Sequence, residues 1–338
     1  MQPVDPNFPL IDLHRHIEGS IRIDTILDLA KQHNIQLPAD DIPNLRPHIQ
    51  VIEPQPGVMA FIGKIELAVR VLADYAACQR VAFESVEDAK AEGLDYLELR
   101  FSPYFIAEAN DLDPVRVVES VIEGIVAARR DIGMRVNLIG IISRTYGTEI
   151  ARRELAALLE WKDQIAAIDL AGDEAAFPGE LFVDHLNIAR DAGWRVTIHA
   201  GESSGPASVR QAIQDLGADR IGHAVSAVED PSLMELMADK GIGIEANLTS
   251  NIQTSTVPEY SSHPLRQFLE FGLFGTINTD DPKISRIDIK YEYEVAAPAA
   301  GLSIDQIHQA QRNALQVAFL SEQEKEQLLK QSSKGNES

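Results

Sequence analysis

Short apolar, β-branched runs recur along this chain, with helical patterns between them. Near-continuous apolar stretches at 10–16, 96–102, 136–142, 167–170, 196–200, 220–225, 242–248 and 274–279 predict eight strands. Their lack of strict alternation is what parallel strands covered on both faces require. The intervening helices have readable ends. Asp113-Pro114 opens one as N-cap and first helical residue, and Gly133 closes it. Asp230-Pro231 and Gly241 bracket another, and Gly193 and Gly217 follow two more amphipathic runs. Eight strands alternating with helices predict an α/β fold of the (β/α)8 TIM-barrel type, with a doubly wound sheet as runner-up. No repeat, linker or shift in composition marks a second domain. The expectation is one domain over 1–338, with its core at 10–320 and a polar, frayed tail at 331–338.

The first two strands are separated by about eighty residues, far more than one crossover helix uses. The spacing predicts a helix over 23–33, with Asp24 as its cap and Asn34 just past its end. A second helix is predicted over 58–72, with Phe61, Ile65, Val69 and Leu72 at helical spacing. Such an insertion is either extra packing or an apolar lid over the barrel mouth.

Composition narrows the partners. Apolar residues make up 45% of the 338-residue chain, as a large globular core needs. A formal charge of −22 argues against nucleic acid or an anionic membrane as partner, and leaves a neutral nucleoside open. Cys78 is the only cysteine, so neither an internal disulfide nor a cysteine-based zinc site is available. It is expected to be a small buried residue in a helix. The first nine residues carry no basic group, so a signal peptide is not expected. No apolar run reaches the length of a membrane span. The expectation is a cytoplasmic protein, monomer or homodimer.

Candidate chemistry gathers at strand ends. His14 and His16 are two apart, so they share a face at the end of the first strand. His199 ends the fifth strand, with Glu202 on the loop after it, and His223 lies in the sixth. Asp280 and Asp281 end the eighth, where adjacent side chains diverge and take different tasks. Three imidazoles and several carboxylates at the mouth of a barrel are the ligand and base types of a hydrolytic metal site. Each also has a structural alternative: a satisfied core histidine, a loop contact, or a helix N-cap before Pro282. His33, His48, His185, His263 and His308 are expected to be structural or surface residues without partners.

With these residues in place, the chain resembles the adenosine deaminases, most closely the bacterial branch. The resemblance spans residues 10–320. It is carried by Asp12-Leu13-His14-Arg15-His16, Leu99-Arg100-Phe101-Ser102-Pro103, Asp169-Leu170-Ala171-Gly172-Asp173-Glu174, His199-Ala200-Gly201-Glu202, Ile221-Gly222-His223, Leu248-Thr249-Ser250-Asn251 and Asn278-Thr279-Asp280-Asp281-Pro282. It implies a hydrolase that converts adenosine and 2′-deoxyadenosine to inosine or its deoxy form and ammonia, in purine salvage. It implies one zinc ion per chain, held by His14, His16, His199 and Asp280. Related two-metal hydrolases use a bridging lysine in the fourth strand, and this one has none there. By the same resemblance Glu202 protonates ring N1, His223 orients or deprotonates the attacking water, and Asp280 also hydrogen-bonds it. Asp281 lies near N7 and the Gly172 N–H near N3. His16, Glu18 and Ser102 contact the substrate, while Val58, Phe61, Ile62 and Ile65 form an apolar lid.

Two residues depart from the family pattern. Glu18 stands where an aspartate usually lies near the ribose 5′-hydroxyl, and glutamate there resembles the adenine deaminases. Ala224 stands where glycine commonly follows the histidine, a substitution that matters if the backbone must take positive φ. The alternatives to adenosine are therefore adenine or a modified 6-aminopurine nucleoside. Another barrel amidohydrolase, or a nucleoside-binding protein without catalysis, is a more distant alternative.

Overall fold

The protein was examined as a computed structural model that describes residues 2–335. Its eight strands are β1 (Ile11–His16), β2 (Tyr96–Phe101), β3 (Arg135–Ser143), β4 (Ile165–Ala171), β5 (Arg195–Ala200), β6 (Arg220–His223), β7 (Gly243–Ala246) and β8 (Phe274–Ile277). All pair in parallel with their sequence neighbours, in the order β1 to β8. The ring shuts just beyond β8. The Asp280 N–H donates to the His14 carbonyl and the His16 N–H to the Asp280 carbonyl, both at 2.8 Å. The bridge pairs Arg15 with Asp280. The expected (β/α)8 barrel is the fold.

The helix ends follow the local chemistry. Asp113 accepts from the Val115 N–H, and Asp230 from the Leu233 N–H, so each caps the helix behind its proline. Gly133 and Gly241 end those helices in the left-handed region. The expected strands at 220–225, 242–248 and 274–279 run too far. His223 and Ala224 both take positive φ, which stops β6 at His223. Leu248 already begins a helix, Leu248–Gln253, and β8 ends two residues before Thr279. Apolar side chains continue past the strand ends because the loops above the barrel are buried too.

The long insertion holds four helices: α1 (Ile23–Gln32), α2 (Ile42–Ile49), α3 (Val58–Val69) and α4 (Tyr75–Ala91). Asp24 is not the cap of α1. Arg22 is the N-cap, without a side-chain bond, and Asp24 sits in the first turn, where its charge suits the helix dipole. Asn34, at φ 54°, follows α1 as expected. The helix predicted over 58–72 stops at Val69, and Leu72 packs in the turn after it. Cys78 is buried in α4. The expected frayed tail instead begins inside a helix, Glu322–Gly335, which covers 331–335; residues 336–338 lie outside the described part. No described helix is long and apolar enough to cross a membrane.

The barrel axis is charged. Arg100 meets Asp169 and Glu245 at 2.8 Å each, and Arg220 meets Glu245 at 2.6 Å and also pairs with Glu98. All five are fully buried or nearly so. Buried ion pairs seldom stabilise a fold more than apolar side chains of the same size would. Their place here is explained by what they hold.

Candidate active site

At the C-terminal mouth of the barrel, four imidazoles face one carboxylate. The Nε2 atoms of His14 and His16 are 3.3 Å apart, and they lie 3.2 and 3.3 Å from Asp280 Oδ1. The His199 ring lies 4.6 Å from that of His14 and 5.4 Å from that of His16. Two ligands bound to a tetrahedral zinc at ordinary bond lengths sit about 3.3 Å apart, so this spacing suits such an ion.

The far side of two imidazoles is anchored as metal ligands require. His14 Nδ1 is 2.7 Å from Glu245 Oε2, and His199 Nδ1 is 3.0 Å from Asp169. A proton held by each carboxylate leaves Nε2 bare and aimed at the centre. Glu98, Asp169, Glu245 and Asp280 are four buried carboxylates beside two guanidiniums, Arg100 and Arg220, which leaves two negative charges to the imidazoles of the site. Such charge is costly without a cation, and a divalent ion balances it. Burial would raise the Asp280 carboxyl, but His14 and the imidazoles beside it hold it well below the usual carboxylate range.

His14, His199, His223 and Asp280 also form a cluster, with one ligand atom from each within 4.8 Å of the others. His223 differs from His14 and His199 in its anchoring. Its Nδ1 meets the Asn251 amide at 3.0 Å and Glu202 Oε1 at 3.5 Å, while its Nε2 lies 3.7 Å from Asp280 Oδ2. Its Nδ1 is met by an amide where His14 and His199 meet a carboxylate. Its φ of 66°, with 54° at Ala224, aims the ring inward. This position does call for positive φ, so Ala224 carries strain of about 1–2 kcal/mol that glycine would not.

Glu202 lines the same cavity, beside His223. Burial first, then the neighbouring Asp280 and Glu174 carboxylates, push its carboxyl well above the usual range. Its loop is held by one buried side chain. Glu174 accepts the N–H groups of Gly201, Glu202, Ser203 and Ser204, at 2.6, 3.2, 2.9 and 3.1 Å. Glu174→Ala is expected to lower kcat by about 100-fold through misplacement of Glu202, with bound metal unchanged by elemental analysis. Wild-type kcat in this variant would show that the loop keeps its place without Glu174.

Asp281 behaves oppositely to Asp280. Burial, then Asp280, Glu18 and Glu202, push its carboxyl well above the usual range. It packs so closely on the backbone of Gly19 that a methyl group there would fall 1.8 Å from Asp281 Oδ1. Gly172 is fixed as glycine by its φ of +109° and by Thr145 Oγ1, which a methyl would meet at 2.4 Å.

One cavity gathers the expected substrate residues. Its floor holds His16, His199, His223, Glu202, Asp280 and Asp281, and its rim Glu18, Ser102 and Gly172. Val58, Phe61, Ile62 and Ile65 of α3 form its apolar wall. Phe61 and Ile65 are buried, so α3 both packs on the barrel and roofs the cavity. His14 lies beneath, fully buried. Ser102 is placed in the wall, but its hydroxyl proton goes to Glu154 at 2.6 Å, and its oxygen caps the helix Pro103–Glu108. Glu18 takes up its extra methylene by reaching the Ser102 N–H, 2.7 Å from Oε1. Its Oε2 is buried without a partner, as is Asp281 Oδ1. Burial, partly offset by that N–H, pushes the Glu18 carboxyl up to about 7.

Sequence reasoning missed the supports. Glu245 is a buried acid inside an apolar strand, and that mismatch was the available signal. Asp169, Arg100 and Glu174 stand in motifs already noted, without roles given to them. The expectation that these histidines lack partners is corrected for four of the five. His185 Nε2 meets the Thr148 carbonyl at 3.0 Å, His308 Nε2 meets that of Gln2 at 2.9 Å, and His33 lies 3.6 Å from Asp74. His263 is buried, 3.2 Å from Asn251. Residues of other elements and loops supply these partners, so local pattern does not show them.

Known proteins resemble this chain in sequence and fold. A family model described as "Adenosine deaminase" matches residues 9–334. The adenosine deaminase of Edwardsiella ictaluri (strain 93-146) is 54% identical over 325 residues, covering 96% of this chain and 98% of that one. Among solved structures, an adenine deaminase from Arthrobacter aurescens superimposes with TM-score 0.90 at 24% identity, covering 98% of this chain and all of the other; it speaks for the fold alone. An amidohydrolase from Burkholderia ambifaria, solved with bound Zn, gives TM-score 0.86 at 25% identity, covering 98% of this chain and 91% of its own. From its full-length match and its relatives, this chain belongs to the adenosine deaminase family.

Proposed function

We propose that this protein hydrolyses the 6-amino group of adenosine and 2′-deoxyadenosine, giving inosine or deoxyinosine and ammonia. The observation that carries the reading is Glu202: a buried carboxyl held in its protonated form, beside His223 in an apolar-roofed cavity. His14, His16, His199 and Asp280 would hold one zinc ion, whose chemistry is to lower the pKa of a bound water toward neutrality.

The chain's own residues do the rest. Glu202 gives its proton to ring N1, so that C6 accepts the attacking oxygen. His223 and Asp280, 3.7 Å apart, both meet the attacking water. Asp281, kept protonated, offers a hydrogen to N7, which is an acceptor. The Gly172 N–H lies on the side of N3. The α3 wall excludes water and favours the neutral ring. Glu18 Oε2 faces the ribose end and accepts or donates there, since its carboxyl titrates near neutrality.

The test is substrate choice. Zinc-loaded protein is given adenosine, 2′-deoxyadenosine, adenine and AMP, and ammonia release is followed. Turnover of both nucleosides is expected. Turnover of adenine without adenosine would place Glu18 in a free-base site and overturn this reading.

A further inference from the structure

We propose that Asn251 and His263 are positioning residues that hold His223 in the tautomer with its proton on Nε2. The chain of contacts starts at backbone. The Leu265 N–H donates to His263 Nδ1 at 3.1 Å. That nitrogen is therefore bare, and the proton of His263 sits on Nε2. There it donates to Asn251 Oδ1 at 3.2 Å.

The amide of Asn251 then has a single workable orientation. Its nitrogen donates one hydrogen to Thr256 Oγ1 at 3.1 Å and the other to His223 Nδ1 at 3.0 Å. The flipped amide would set its N–H₂ against the donating Nε2–H of His263. His223 Nδ1 must accept, so its proton lies on Nε2, toward Asp280 and the reacting centre. Asn247 Nδ2 is 3.4 Å from both ring nitrogens and favours neither. His263 and His223 are almost wholly buried and Asn251 fully so, and water does not compete for these bonds.

Two results follow for the site. His223 enters the reaction as a hydrogen-bond donor to the attacking oxygen, and the proton that oxygen gives up goes to Asp280 instead, whose Oδ2 is 3.7 Å from that Nε2. An Nε2 that carries hydrogen does not ligate metal, which leaves His16 as the third imidazole ligand.

The kinetic arm of the test rests on the deaminase reading, but the tautomer arm does not require turnover. Zinc-loaded protein labelled with ¹⁵N-histidine is examined by long-range ¹H–¹⁵N correlation, with His223→Gln to assign its signals. The wild type is expected to show protonated Nε2 and bare Nδ1 at His223. In Asn251→Asp, a carboxylate of the same shape draws the proton to Nδ1, and kcat falls about 10–100-fold with KM little changed. His263→Leu is expected to lower kcat, and His263→Gln, which keeps a donor toward Asn251, to restore most of it. Protonated Nδ1 in the wild type, or an unchanged tautomer in Asn251→Asp, overturns the proposal. So does wild-type kcat in His263→Leu; if that variant does not fold, Asn251→Asp decides alone.

Discussion

Glu202→Gln is expected to keep its metal and lose about 10²–10⁴-fold in kcat for adenosine, the range typical of a lost general acid. Glutamine has the same shape and nearly the same volume, so folding should be unaffected. What it lacks is a transferable proton. The native carboxyl keeps that proton because it is buried beside Asp280 and Glu174. KM should change less than kcat, since N1 still meets an N–H donor in the ground state. Steady-state kinetics with metal analysis on the same sample checks this. Full activity would remove Glu202 from the proton path and direct attention to Asp281.

Removal of metal is expected to abolish turnover and to lower Tm. Without a cation, four buried carboxylates share two guanidiniums, and three imidazoles lose the partner toward which they point. Chelator-treated protein should regain activity with one equivalent of zinc per chain, followed by titration against ammonia release. The melting shift follows from linkage: free ion at about 1,000 times its Kd contributes roughly 4 kcal/mol. Two ions needed for full activity would contradict the single centre. An unchanged Tm would mean that the buried charge is neutralised in another way.

The barrel was legible because its strands are buried runs rich in apolar residues and several of its helices carry side-chain caps. Ends were less legible. At β6 and β7 the apolar run passes straight into buried loops, and only backbone angles at His223 and Ala224, or the helix at Leu248, mark the change. Within α1, Asp24 resembled a cap because aspartate favours both caps and first turns. His14, His16, His199, Glu202, His223, Asp280 and Asp281 were visible as residue types at strand ends. Glu245 and Glu174 were not, because each acts on a partner far away in sequence. The partner of His263 was missed because an isolated loop histidine shows nothing of the Asn251 amide that it meets.

The closure of the barrel has a consequence for how this protein reaches its native state. Arg15 and Thr279, 264 residues apart, are hydrogen-bonded beside the bridge at Asp280. The ligands of β1 and the ligand after β8 therefore meet only when the two ends of the chain do. Contacts of such long sequence separation form late and slowly. A nascent chain still missing its last strand can fold local strand–helix units, yet it has no complete place for the ion. On the proposed ligand assignment, metal capture reports completion of the ring and acts on finished barrels rather than on partial ones.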